Sequence, residues 1–315
     1  MPKPWRGVPM RCTIRKPAGC YPVPGTVPSE RAIHALHRLG DGLTASWPVV
    51  LGILLALLGV IRPALAAESL CEPGLVEWRG SAPRVMPVST SVADASTRVV
   101  TIQWLGHSSF LIATPGGTTA LTDPHPWHSP AVVPDVVTIS NEHPTHSQAR
   151  AVPGNPRVLR GRTPEGDWME VNVTIGELAI KSLPSSGGNA YEVPTQNTIF
   201  VFRAEGLCIV HLGNLRQPLN EEQRQRLGRP DVLMVPIDGQ WTLAYDQVAL
   251  TISQLRPAIV LPMHYDVSEH VRLFMQFIQA TAPVRTLTES TLKLSRDTLP
   301  RATEVIVLGY RDRDG

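Results

Sequence analysis

From Val99 onward the apolar residues arrive in runs of only three to six, and that spacing constrains the fold more than any other feature of the chain. The runs are Val99–Trp104, Ser109–Ala113, Thr119–Thr122, Val136–Ile139, Leu178–Ile180, Thr198–Phe202, Leu207–Val210, Val232–Val235 and Ile259–Leu261. They are rich in Val, Ile and Thr and are broken by Gly, Pro, Asn and Asp, so each fills one strand and is too short for a buried helix. Pro115-Gly116-Gly117 supplies a turn inside the opening meander. Helical patterns come late. Asn220 followed by Glu221 and Glu222 reads as an N-cap with acids in the first turn of a helix to Leu227. Tyr245–Leu255 and Glu269–Ala280 are the other helical segments. Helices following pairs of strands predict layers outside a two-sheet core. There is no internal repeat and no glycine-rich phosphate loop.

With 43% hydrophobic and 18% charged residues, the chain of 315 can bury a large core. Its formal charge of +2 is unevenly spread: residues 1–66 hold eight Lys/Arg and two acids, and the remainder carries four more acids than bases. That balance argues against a nucleic-acid partner and leaves a small molecule as the expected one, with oligomeric state open. The uncharged run Pro48–Ile61, PVVLGILLALLGVI, is followed by Ala64-Leu65-Ala66-Ala67. Its 14 residues fall short of the roughly 20 that span a bilayer, so residues 1–66 read as a long N-region plus a signal peptide cleaved near Ala66/Ala67. The protein is therefore expected in the periplasm or secreted, and would meet a membrane only if the segment stays uncleaved. Residues 67–98, rich in Ser, Ala, Pro and Thr, form an irregular lead-in to a domain over 99–310. Cleavage would leave two cysteines, Cys71 and Cys208. An oxidising compartment permits a disulfide between them, but Cys208 lies in the apolar run LCIVHL and is expected to be a free, buried thiol.

Several histidines occupy loops that directly follow a strand, where a scaffold displays functional groups. Asn141-Glu142-His143-Pro144-Thr145-His146 follows Val136–Ile139, His211 ends Leu207–Val210, and His264 follows Ile259–Leu261. Imidazole suits Zn, Fe and Ni, and a catalytic ion needs about three protein ligands and one open position. His143 and His146 would need His211 or His264 to complete such a set. His125 and His128, in a Pro/His-rich loop, are expected at the surface.

The order Trp104-Leu105-Gly106-His107-Ser108-Ser109-Phe110, Leu121-Thr122-Asp123-Pro124, the histidine loop, His211-Leu212-Gly213-Asn214, Asp231–Pro236 and Pro262-Met263-His264-Tyr265 resembles the metallo-β-lactamase superfamily. It is most similar to the branch containing ascorbate-6-phosphate lactonase. The resemblance implies an α/β fold of the four-layer αββα type, two mixed sheets flanked by helices, with metal held at the edge between the sheets. It also marks departures. Against the family's H-x-H-x-D-H, Asn141 replaces the first His and Thr145 the Asp. Gly187 falls where a further His is usual, and Asn214 stands for a metal-bridging carboxylate. Only His143, His146 and His264 match ligand positions directly.

Two divalent ions held about 3.5–4 Å apart need bridging negative charge, which Thr145 and Asn214 do not supply. The expected complement is therefore at most one Zn2+ or other divalent ion, drawn from His143, His146, His264 and His211, with Asn141 or Asn214 contributing an oxygen. Asp123 and Asn214 are the near-site positions, and Glu142 and Asp238 are acids placed where they could compensate. Two readings stay open: a one-metal hydrolase of an ester, lactone or phosphoester, and a non-catalytic binding or scaffold protein that has lost its metals.

Overall fold

β1 (Val100–Gly106) shows how the sheets form: Val100, Ile102 and Trp104 are buried while the intervening Thr101, Gln103 and Leu105 are half-buried, the period-two pattern of a strand with one side on a core. The structure, a computed structural model, describes residues 69–71, 98–163, 165–187, 195–265 and 268–309. The leader over 1–66 and most of the 67–98 lead-in lie outside those residues. After β1 come β2 (Ser109–Ala113), β3 (Thr119–Thr122), β4 (Val136–Ile139) and β5 (Arg157–Arg160). Then follow β6 (Asn172–Ile175), β7 (Leu178–Gly187), β8 (Thr195–Ala204), β9 (Leu207–His211), α1 (Glu221–Leu227) and β10 (Val232–Pro236). The chain continues through α2 (Tyr245–Leu255), β11 (Ile259–Met263), α3 (Ser268–Ile278), β12 (Val284–Thr286), β13 (Thr291–Leu294) and β14 (Glu304–Val307).

The strands make two mixed sheets, one of six in the order β13-β1-β2-β3-β4-β5 and one of eight in the order β12-β14-β11-β10-β9-β8-β7-β6. In the first, β3, β4 and β5 run parallel; in the second, β9, β10, β11, β14 and β12 do. Alternate residues of both sheets, among them Ile102, Phe110, Phe200, Phe202, Met234 and Leu261, form the core between them. The opposite face of the eight-stranded sheet packs under the helices through Val201, Val210, Val235, Val248, Ile252 and Phe274. On the outer face of the six-stranded sheet Leu121, Val137 and Ile139 pack with Val152, beside the 3₁₀ turn Ala149–Ala151. Together these layers make an α/β sandwich of two mixed sheets.

The N-cap expected at Asn220 is a capping box: Asn220 Oδ1 accepts from the Gln223 backbone at 2.8 Å and Gln223 Oε1 accepts from the Asn220 backbone at 2.9 Å. The expectation of a free thiol at Cys208 is corrected. Cys71 and Cys208 form a disulfide with 5.3 Å between Cα atoms. Leu70 hydrogen-bonds Arg226 at the end of α1, which lays Cys71 over the outward face of β9 where the buried Cys208 side chain points. An apolar setting thus buries the bridge rather than isolating a thiol.

Candidate metal centre

The loops that carry the functional side chains leave the C-terminal ends of the parallel strands, where the two sheets meet. Asp123 follows β3, His146 lies in the loop after β4, Asp238 follows β10, and His264 follows β11; His107 sits in the turn between β1 and β2. Among the described residues five non-glycine positions have positive φ, and three of them are His107 (49°), Asp123 (36°) and His264 (60°). Asp and His enter this left-handed region more readily than most residues, and such outliers concentrate where surrounding structure dictates side-chain direction. The surroundings do so here: His264 N–H donates to His107 O at 2.9 Å, and Trp104 Nε1–H donates to the same oxygen at 3.1 Å.

His107, His146 and His264 are buried and converge, each offering a ring nitrogen such that all three atoms lie within 4.8 Å of one another. His146 Nε2 and His264 Nε2 are 3.2 Å apart. Each of these rings is held from behind by a carboxylate: His146 Nδ1 is 2.7 Å from Asp123 Oδ2, and His264 Nδ1 is 2.7 Å from Asp238 Oδ2. The carboxylates are themselves anchored. Asp123 Oδ1 accepts from Ser140 N–H at 2.7 Å, and the Ser140 hydroxyl donates to Oδ2. Asp238 Oδ1 accepts from the backbone of Gln240, Trp241 and Thr242 and from Thr242 Oγ1, which leaves Oδ2 for His264.

Burial raises the Asp123 carboxyl against the opposing influence of His211 and Ser140. Burial, reinforced by the neighbouring His264 and His107, lowers His146 well below the ordinary imidazole range. Burial also works to raise Asp238, but hydrogen bonding and charge from His264, with the Gln240 and Thr242 donors, outweigh it and hold the carboxyl well below its usual range. A neutral His146 whose Nδ1–H points at Asp123 presents a lone pair at Nε2. If His264 donates to Asp238 in the same way, two lone pairs face each other at 3.2 Å, an arrangement a cation relieves. Two nitrogens bound to one tetrahedral zinc at about 2.0–2.1 Å would lie roughly 3.3 Å apart. The donor set fits one ion.

The predicted residues distribute unequally. His146 and His264 join the cluster. His143 is exposed and outside it, with its Nδ1 2.9 Å from Thr145 Oγ1. The structure does not bring His211 into the cluster: it is fully buried, its Nε2 lies 2.8 Å from Ser108 O, and its Nδ1 accepts from Gly213 N–H at 3.2 Å, so both nitrogens serve the backbone. Asn141 Oδ1 accepts from His143 N–H at 2.7 Å. Asn214 is buried on the wall of the site, and its Oδ1 has no hydrogen-bond partner among the described residues. His125, expected at the surface, is buried with Nε2 3.1 Å from Leu105 O, and burial lowers its pKa to about 4. His128 is half-buried.

Sequence reasoning passed over His107. Its signal was present, since it too follows a strand, in Gly106-His107-Ser108. A cavity of about 340 Å³ opens onto the cluster, with His107, Asn214, Asp238 and His264 on its buried side and Trp127, His143 and Trp241 on its exposed side. Arg216 and His270 also line it.

Fold and site together define a class: a two-sheet α/β sandwich with a carboxylate-backed histidine cluster at the C-terminal ends of its parallel strands. The chain belongs to the family described as beta-lactamase superfamily domain, which matches residues 101–264. It is 25% identical to a metal-dependent hydrolase of Methanoculleus marisnigri, over 58% of this chain and 91% of that one. It is also 25% identical to a metal-dependent hydrolase of Caldivirga maquilingensis, over 60% and 89%. Among solved structures it is similar to one from Thermotoga maritima, provisionally described as a Zn-dependent hydrolase of the metallo-beta-lactamase superfamily. That match has a TM-score of 0.53 and 27% identity, covering 67% of this chain and all of the other.

Proposed function

We propose that the protein is an exported hydrolase that works with one divalent metal ion, held by His107, His146 and His264, and cleaves an ester, lactone or phosphoester. The observation that carries this reading is the pair of imidazole Nε2 atoms 3.2 Å apart, each ring backed at 2.7 Å by a buried carboxylate. Carboxylates placed this way set the tautomer of a ligating histidine and increase its basicity. The metal-dependent hydrolases among its relatives support the reaction class. A divalent ion supplies Lewis-acid polarisation and acidifies water toward neutrality.

The chain's own residues supply the rest. Asp123, hydrogen-bonded at Nδ1 of His146, keeps that ring's proton on the far side from the cavity, and Asp238 sets a negative charge 2.7 Å from Nδ1 of His264. Asn214 Oδ1, buried and unpartnered among the described residues, is an acceptor for a substrate hydroxyl or amide on the cavity wall. Arg216 lines the same cavity and brings positive charge toward a substrate oxygen that gains negative charge during hydrolysis. Three nitrogen ligands favour zinc among the common divalent ions, although imidazole also accepts Fe and Ni. The Cys71–Cys208 bridge supports export, since disulfides persist in oxidising compartments.

The test is elemental analysis of protein purified without chelator, beside His107→Ala, His146→Ala and His264→Ala, followed by assay of the loaded protein on a panel of esters, lactones and phosphoesters. The expected result is about one equivalent of metal per chain, lost in each variant, and turnover that disappears with the metal. A protein that neither carries nor takes up a divalent ion overturns the proposal and leaves a metal-free binding protein.

A further inference from the structure

A second and larger cavity, about 790 Å³, adjoins the metal centre. Its apolar wall comes from Trp104, Tyr265, Val271, Met275, Val307 and Leu308. Trp104 and Tyr265 pack with ring centroids 4.9 Å apart, so two neighbouring aromatic side chains contribute to that wall. His107 and Trp127 line this cavity and the smaller one alike. Trp127 is 49% exposed, and its ring stands edge-on to that of His107 with centroids 5.9 Å apart. The charged residues on the larger cavity neutralise each other, since Arg272 Nε donates to Glu269 Oε2 at 2.7 Å and the two form an ion pair. Thus the space next to the histidines is apolar, offers no uncommitted charge on the described α3 residues, and falls within the roughly 300–1,000 Å³ range of small-molecule sites.

We infer that the substrate is amphiphilic: its hydrolysable polar group sits against the histidine cluster, and an alkyl or acyl chain passes Trp127 and His107 into the apolar cavity. This rests on the hydrolase reading for the polar end, while the apolar end is a binding property that can be measured without metal or turnover. Continuity through the shared residues commits the cavity to the same ligand as the histidines. A head group alone would fill the smaller cavity and leave the larger one unused.

The experiment uses the full chain stripped of metal with chelator, and the probe is 11-(dansylamino)undecanoic acid, followed by fluorescence and displaced by saturated carboxylates from butanoate to dodecanoate. Burial of one methylene is worth roughly a threefold to fourfold gain in affinity, so displacement should strengthen by about that factor with each added carbon. Met275→Arg and Val271→Arg, which place charge on the apolar wall, should each weaken the probe at least about tenfold while their melting temperatures and metal uptake stay like the parent's. A flat response to chain length, or probe binding unchanged in both variants, overturns the inference. Metal content and turnover are read separately. Chain-length dependence in a protein that takes up no metal would remove the hydrolase assignment and keep an apolar ligand site; metal uptake with a flat series would do the reverse.

Discussion

At the scale of single residues, Asp123 and Asp238 decide what the histidines can do. Neither faces the cluster with both oxygens; each uses one on the backbone of its own surroundings and points the other at an Nδ1. Replacing either by Asn keeps an acceptor of the same shape, and Asn tolerates the positive φ found at Asp123. Asp123→Asn and Asp238→Asn should therefore fold, yet weaken binding of a divalent metal about 10- to 100-fold, the usual effect of removing a carboxylate behind a ligating histidine. Competition against a chromophoric chelator measures this, and unchanged affinity in both variants would separate the carboxylates from the metal site. His107, His143 and His211 show what single residues do not reveal in sequence. All three are histidines close to strand ends, but His143 is exposed, His211 gives both nitrogens to the backbone, and His107 joins the cluster.

At the scale of elements, the site is made by strand ends and tied together by contacts between loops. β9 is tied at two points. Its last residue bonds the β1–β2 turn through Ser108 O, and its Cys208 is joined to Cys71 across 137 positions of chain. Closing so long a loop restricts the unfolded chain, and disulfides of this kind contribute about 2–4 kcal/mol. Cys71→Ser with Cys208→Ser should lower the urea midpoint by a corresponding amount, and reduction of the parent protein should reproduce the effect. A midpoint that does not move in either experiment would show the bridge to be dispensable. The turn after β9 has little freedom: Gly213 has φ of 61°, and a Cβ there would lie 2.5 Å from Asn197 Oδ1 and from Ser140 Oγ. β14 (EVIV) was passed over, but most other elements with an apolar face were legible in the sequence, including β1 to β4, β8 to β11 and the capped α1. Those with weak apolar character were not. β5 (RVLR), β6 (NVTI) and β12 (VRT) lie at sheet edges, where one side of the strand meets no neighbour and the pattern need not be apolar.

At the scale of the whole molecule, a histidine shut into the junction of the sheets links protonation to stability. Burial lowers the pKa of His211 in the folded protein, while in the unfolded chain it titrates near its ordinary value of about 6.5. As pH falls through about 6.5 the unfolded chain takes up a proton that the folded chain refuses, so stability is full above that pH and declines below it. Thermal unfolding followed from neutral pH toward pH 5 should show this decline. His211→Gln should be less stable at neutral pH but fall less steeply on acidification; an equal slope would assign the acid sensitivity to other groups. The sequence alone determined the apolar strands β1 to β4 and β8 to β11, the late helices and the loops that bear His146 and His264, because hydrophobic periodicity and turn residues act over a few neighbouring positions. Which nitrogens stay available was decided only by the tertiary structure. His146 meets His264 across 118 positions and His211 meets Ser108 across 103, and contacts between residues so far apart leave no local pattern.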